Sequence, residues 1–113
     1  MSEAERVARE FFRESKSGNG IWVAYQESGC LSLKSGEDPV MPLWSTRERC
    51  AKYLNEVYSE TELRPLEVPM EVFLAVWIEQ GKEQGTEYCL NPPNENSGCY
   101  ALFPEELKNA LVQ

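Results

Sequence analysis

The apolar positions of this chain fall into stretches of two different periods. Val7, Ala8, Phe11 and Phe12 follow Ala4 at helical spacing, behind Ser2 and Glu5, an S-x-x-E capping pair. Ser17-Gly18-Asn19-Gly20 ends this helix, because Gly and Asn tolerate the left-handed backbone at a helix end. Ile21–Tyr25 is β-branched and aromatic on both faces, which reads as an interior strand. Glu27-Ser28-Gly29 turns the chain, and Cys30–Leu33 should return antiparallel. Beyond a second turn, Lys34–Pro39, the apolar run Val40–Trp44 predicts a third strand that Pro42 confines to an edge or a bulge.

The pattern then switches back to the helical period. Ser45 and Glu48 form a second capping pair, and Cys50, Leu54 and Val57 draw the inner stripe of a central helix over about residues 46–58. Ser59–Arg64 is polar loop, and Pro65–Val68 is a short extended segment, since Pro65 and Pro69 each disfavour helix at the preceding residue. Pro69 suits the first turn of a third helix, with Phe73, Leu74, Trp77 and Ile78 inward and Gly81 as terminator. Thr86–Leu90 and Cys99–Phe103 are strands around the long polar, Pro-rich loop 91–98. Pro104-Glu105-Glu106 opens a last helix that buries Leu107, Ala110 and Leu111.

The expected architecture is a single α+β domain over residues 1–113, in the order α-β-β-β-α-β-α-β-β-α. About six short strands form a mostly antiparallel sheet with helices packed on it. Parallel addition of the strand after the central helix would make that sheet mixed.

Composition narrows the function. A formal charge of −8 lacks the positive footprint that nucleic acid or an anionic membrane surface requires, and permits a basic protein partner. Of 19 acidic side chains only Asp38 is aspartate; the glutamates suit solvated helix faces. No apolar run is long enough to span a bilayer, and the charged start MSEAERVAREFF lacks a signal-peptide core, so the expectation is a soluble protein in the cytosol.

There is no histidine, which removes Ser-His-Asp and Cys-His catalysis and the commonest metal ligand. Cys30, Cys50, Cys89 and Cys99 lack zinc spacing and lie among apolar residues; reduced, buried thiols are expected, with Cys89 and Cys99 facing across a hairpin as the one pair placed to bond under oxidation. No nucleotide or hydrolase fingerprint occurs, and no cofactor, metal site or catalytic residue is expected.

Trp22, Gly29, Pro42-Leu43-Trp44-Ser45, Ala51, Phe73-Leu74-x-x-Trp77-Ile78 and Phe103-Pro104-Glu105-Glu106-Leu107 together resemble a small bacterial family, domain of unknown function 2750, over about residues 7–112. The strand–cap–helix junction, the helix at 70–80 and Leu90-Asn91-Pro92 resemble, more distantly, the N-terminal domain of SseB-type proteins. These resemblances imply the fold and a bacterial origin. They bring no assigned reaction.

Two readings of function follow. In the first, the chain is a non-catalytic protein–protein interaction or regulatory module, in one form an immunity-type protein whose acidity neutralises a basic toxin. Its partner-binding patch would be Trp44, Arg47, Tyr53 and Tyr58 with Asn91, Pro92 and Pro93 of the long loop, since Trp, Tyr and Arg dominate interface energetics. In the second, it is a small-molecule-binding domain or an enzyme that uses Glu or Cys in a pocket. A homodimer through an exposed strand edge is compatible with either.

Overall fold

A computed structural model describes residues 2–35, 38–94 and 100–113, with the backbone alone at 34–35 and 38–39. Helix α1 (Glu3–Gly18) starts where Ser2 Oγ accepts the amide of Glu5, and ends on Asn19 in the left-handed conformation. Ala8, Phe11 and Ser15 form its buried face, whereas Ala4 is exposed. Arg6 binds Glu3 on the exposed face of this helix, and Glu10 reaches across to Arg49.

Strand β1 (Gly20–Gln26) is interior, as its two-faced composition requires. The returning segment divides, however. β2 (Gly29–Cys30) pairs with β1, and β3 (Leu33–Ser35) pairs with β4 (Asp38–Leu43). The expected single sheet of about six strands is therefore two sheets, one of three strands in the order β2-β1-β5 and one of four in the order β3-β4-β6-β7. At Pro42 the β3 pairing has already ended, so β4 meets only β6 there and the missing N–H is tolerated.

Helix α2 (Arg47–Val57) is capped by Thr46, whose hydroxyl accepts the amide of Arg49, so the cap lies one residue beyond Ser45. Cys50, Tyr53 and Leu54 face inward from it. β5 (Arg64–Pro69) runs antiparallel to β1; the parallel pair that makes the second sheet mixed is β4 with β6 (Glu87–Leu90). β5 is an edge strand, and Trp22 spends its own amide and carbonyl on Trp44, which marks Trp22–Glu67 as a pair not hydrogen-bonded to each other. Residues 65, 67 and 69 thus turn their backbone groups outward, and at two of these positions proline removes the donor. Such an edge resists pairing with a second chain.

A continuous helical stretch follows: α3 (Met70–Val72), a π-helical turn (Phe73–Trp77) and α4 (Ile78–Gln84). Gly81 does not end it; the helix runs on to Gly85, which takes the left-handed cap. β7 (Tyr100–Leu102) pairs antiparallel with β6, and α5 (Pro104–Leu111) closes the chain with Leu107 and Leu111 buried. Residues 95–98 of the expected long loop lie outside the described residues.

Two cores result. The larger joins Phe11, Ile21, Val23, Phe73, Ile78, Leu90 and Leu107 between α1, the helical stretch and the two sheets. The smaller seats α2 on the other face of β1, through Ala24, Trp44, Cys50, Tyr53 and Leu54. Burial pushes the Cys50 thiol up to about 12. Cys30 is half-buried and Cys89 is disulfide-bonded, so the expectation of four reduced thiols fails at Cys89, while Cys99 lies outside the described residues. Among the described residues no helix is long and apolar enough to cross a membrane.

Candidate functional site

β4 and β6 run parallel, so their carboxyl ends emerge side by side at Leu43 and Leu90. The next residues, Trp44-Ser45 and Asn91-Pro92, are bound together. Asn91 adopts φ 47°, a conformation its short polar side chain tolerates, and its amide donates to the Leu43 carbonyl at 2.7 Å. Its side chain then closes on Ser45: Oδ1 accepts the Ser45 amide at 2.9 Å, and Nδ2 donates to Ser45 Oγ at 2.9 Å. Trp44 Nε1 donates to the Pro92 carbonyl at 3.1 Å. Three side chains thereby fix the first two residues of the loop.

The network continues into α1. Ser45 Oγ donates to Glu14 Oε1 at 2.6 Å, and the same carboxylate accepts Arg49 Nε at 2.8 Å and Nη2 at 3.1 Å. Arg49 Nη2 also reaches Glu10 at 3.2 Å. Ser45 has an alternative acceptor in Asn91 Oδ1 at 3.3 Å, but the shorter bond to an ionised group is the stronger. The Arg49 guanidinium, opposed by desolvation and helped by the Ser45 hydroxyl, holds the Glu14 carboxyl below the usual range. In turn Glu14 raises Arg49.

A groove of about 330 Å³ opens beside this network, between the end of α1, the start of β1 and the start of α2. Trp22, Arg13, Arg47, Glu48 and Glu67 line it along with Glu14 and Ser45. Trp22 is half-buried, and Arg47, Glu48 and Glu67 are exposed.

The structure brings most of the expected patch together, largely beneath the surface. Trp44 and Tyr53 are each 1% exposed and pack ring against ring at 5.1 Å. Tyr58 leans over Tyr53 from the edge of the small core. Asn91 and Pro92 are buried, so of the seven residues Arg47 and Pro93 are exposed and Tyr58 partly so. Glu14, Ser45 and Arg49 meet here from two helices and a strand end. Their sequence separation leaves no local signal that could have joined them. Among the described residues, no group of three or more Cys, Asp or Glu is placed to hold a metal ion.

A family model described as a protein of unknown function, DUF2750, matches residues 8–111. A search of curated proteins finds no match.

Proposed function

The chain belongs to the DUF2750 family, and from the chemistry of its own residues we propose that it is a non-catalytic protein–protein interaction module of regulatory kind. The observation that supports this reading is the state of Glu14. It is the least exposed carboxylate lining the groove, yet Arg49 and Ser45 occupy its oxygens and keep it ionised and saturated. A general acid or base needs the opposite, a carboxyl raised toward neutral pH and free to reach a substrate. The polar network is a brace for the loop and strand ends.

The partner we infer is a protein that presents basic side chains. Exposed Glu48 and Glu67 flank the half-buried ring of Trp22 in one groove, on a chain of charge −8. Arg13 and Arg47 at the same groove set register against the partner's acids, since rim charges govern orientation and on-rate more than affinity. An immunity-type protein facing a basic toxin is the narrowest form of this proposal.

The test is affinity capture with the tagged chain and with its Glu48→Lys/Glu67→Lys variant, both checked for native circular dichroism. The wild type should retain a defined basic partner that salt releases, and the variant should lose it. Equal capture by both, or no defined partner, contradicts the proposal.

A further inference from the structure

On another part of the molecule, a cleft of about 300 Å³ opens between β2, β4 and α4. Cys30 and Met41 line it with Trp77, Gln80, Gln84 and Thr86. Charged residues make up 27% of the chain, yet among the described residues none lines this cleft. Its polar groups are neutral amides and hydroxyls, and its walls are aromatic and sulfur-bearing. The Cys30 thiol, raised by desolvation, is protonated and adds no charge.

The wall is also built with care. Trp77 is the last residue of the π-helical turn, where Ile78 N–H reaches back to the Phe73 carbonyl. Such turns concentrate at functional sites, because they forgo regular helical bonds to re-aim a side chain. The Trp77 ring stacks on Phe73 at 6.2 Å and 21°, and the Trp77 carbonyl accepts the Tyr88 hydroxyl at 2.8 Å. Gly81 makes room for that hydroxyl: a Cβ there would lie 2.6 Å from it. Trp77 is therefore held through its ring by Phe73 and through its carbonyl by Tyr88, and it is half-buried in the wall of the cleft.

We propose that this cleft is a binding site for a neutral, planar, bicyclic heteroaromatic molecule. A volume near the small end of ligand pockets admits a fused ring pair and little more. Trp77 supplies a stacking surface, Met41 a polarisable contact, and Gln80, Gln84 and Thr86 the hydrogen bonds that orient a ring edge. A charged ligand would lose hydration with no counter-charge among the described lining residues to replace it. This site is separate from the groove that the interaction proposal uses, and either can fail alone.

Cys30 supplies the readout. The rate of its alkylation by iodoacetamide is followed by mass spectrometry with indole and quinoxaline as neutral probes, and with indole-3-acetate and tryptamine as charged analogues. Saturable protection of at least fivefold by a neutral probe is expected, with the charged analogues at least tenfold weaker. Gln84→Glu, at an exposed position, should keep the fold and strengthen tryptamine at least fivefold. Protection by none of the four, or by charged probes in preference to neutral ones, overturns the proposal. So does a Gln84→Glu variant that leaves tryptamine unchanged.

Discussion

The main chains of Trp22 and Trp44 exchange hydrogen bonds in both directions, at 2.8 and 2.9 Å, and so join the two sheets. Trp22 belongs to β1 in the three-stranded sheet, and Trp44 follows β4 in the four-stranded one. The same pair separates the two environments of the candidate site. Trp22 faces the groove, whereas Trp44 is buried under α2 and holds the Pro92 carbonyl.

Trp44→Phe tests that hold. It removes the Nε1 donor, leaves the buried Pro92 carbonyl unpaired and opens a small cavity. A loss of roughly 2–4 kcal/mol is expected in urea unfolding. Hydrogen exchange at the Asn91 amide should quicken as well, because the loop loses one of its ties.

Glu14 makes stability depend on pH with a definite sign. Its folded-state pKa is depressed below the ordinary 4.5, so its contribution is present above that value and is lost as pH falls through the folded value. Glu14→Gln should cost roughly 1–3 kcal/mol at neutral pH, as charge-assisted bonds are lost. The variant should also show a shallower fall in stability below pH 4.5 than the wild type. Unfolding midpoints between pH 3 and 7 on both proteins measure this.

Ser15 Oγ is buried and has no hydrogen-bond partner among the described residues. Ser15→Ala removes an unsatisfied hydroxyl and improves helix propensity, so it should raise stability by about 1 kcal/mol. The thermal midpoint reports the sign directly.

Two glycines in helices should respond oppositely to alanine. At Gly18 a Cβ meets nothing within 4 Å among the described residues, and Gly18→Ala should stabilise by about 0.4–1 kcal/mol. At Gly81 the Cβ would press on the Tyr88 hydroxyl at 2.6 Å and on Pro104 at 3.0 Å. Gly81→Ala should destabilise by roughly 1–3 kcal/mol in spite of its better helix propensity. Parallel urea titrations of the two variants compare them.

Local patterns in the sequence carried much of this fold. The stripe Cys50, Leu54 and Val57, the stop at Asn19 and the inward Leu107 and Leu111 all follow from spacing and capping chemistry. Errors arose where a distant residue decided a local choice. Ser45 and Thr46 can each cap a helix, and Glu14, 31 positions away, engages the Ser45 hydroxyl and leaves the cap to Thr46. Gly81 and Gly85 can each end one; the fit against Tyr88 and Pro104 explains the first without a stop. Cys30 and Leu33 read as one strand because nothing local reveals that β1 and β4 claim different ends of it. Trp44 and Tyr53 looked like interface residues by type, and only packing could show them buried.

The most direct measurement is the carboxyl titration of Glu14 by carbon-detected NMR in the intact protein. A closed, non-catalytic brace predicts a pKa below 4.5, with the Arg49 Nε proton protected from exchange in step. A Glu14 pKa at about 6 or above would reveal a carboxyl poised to transfer protons, and would contradict the account.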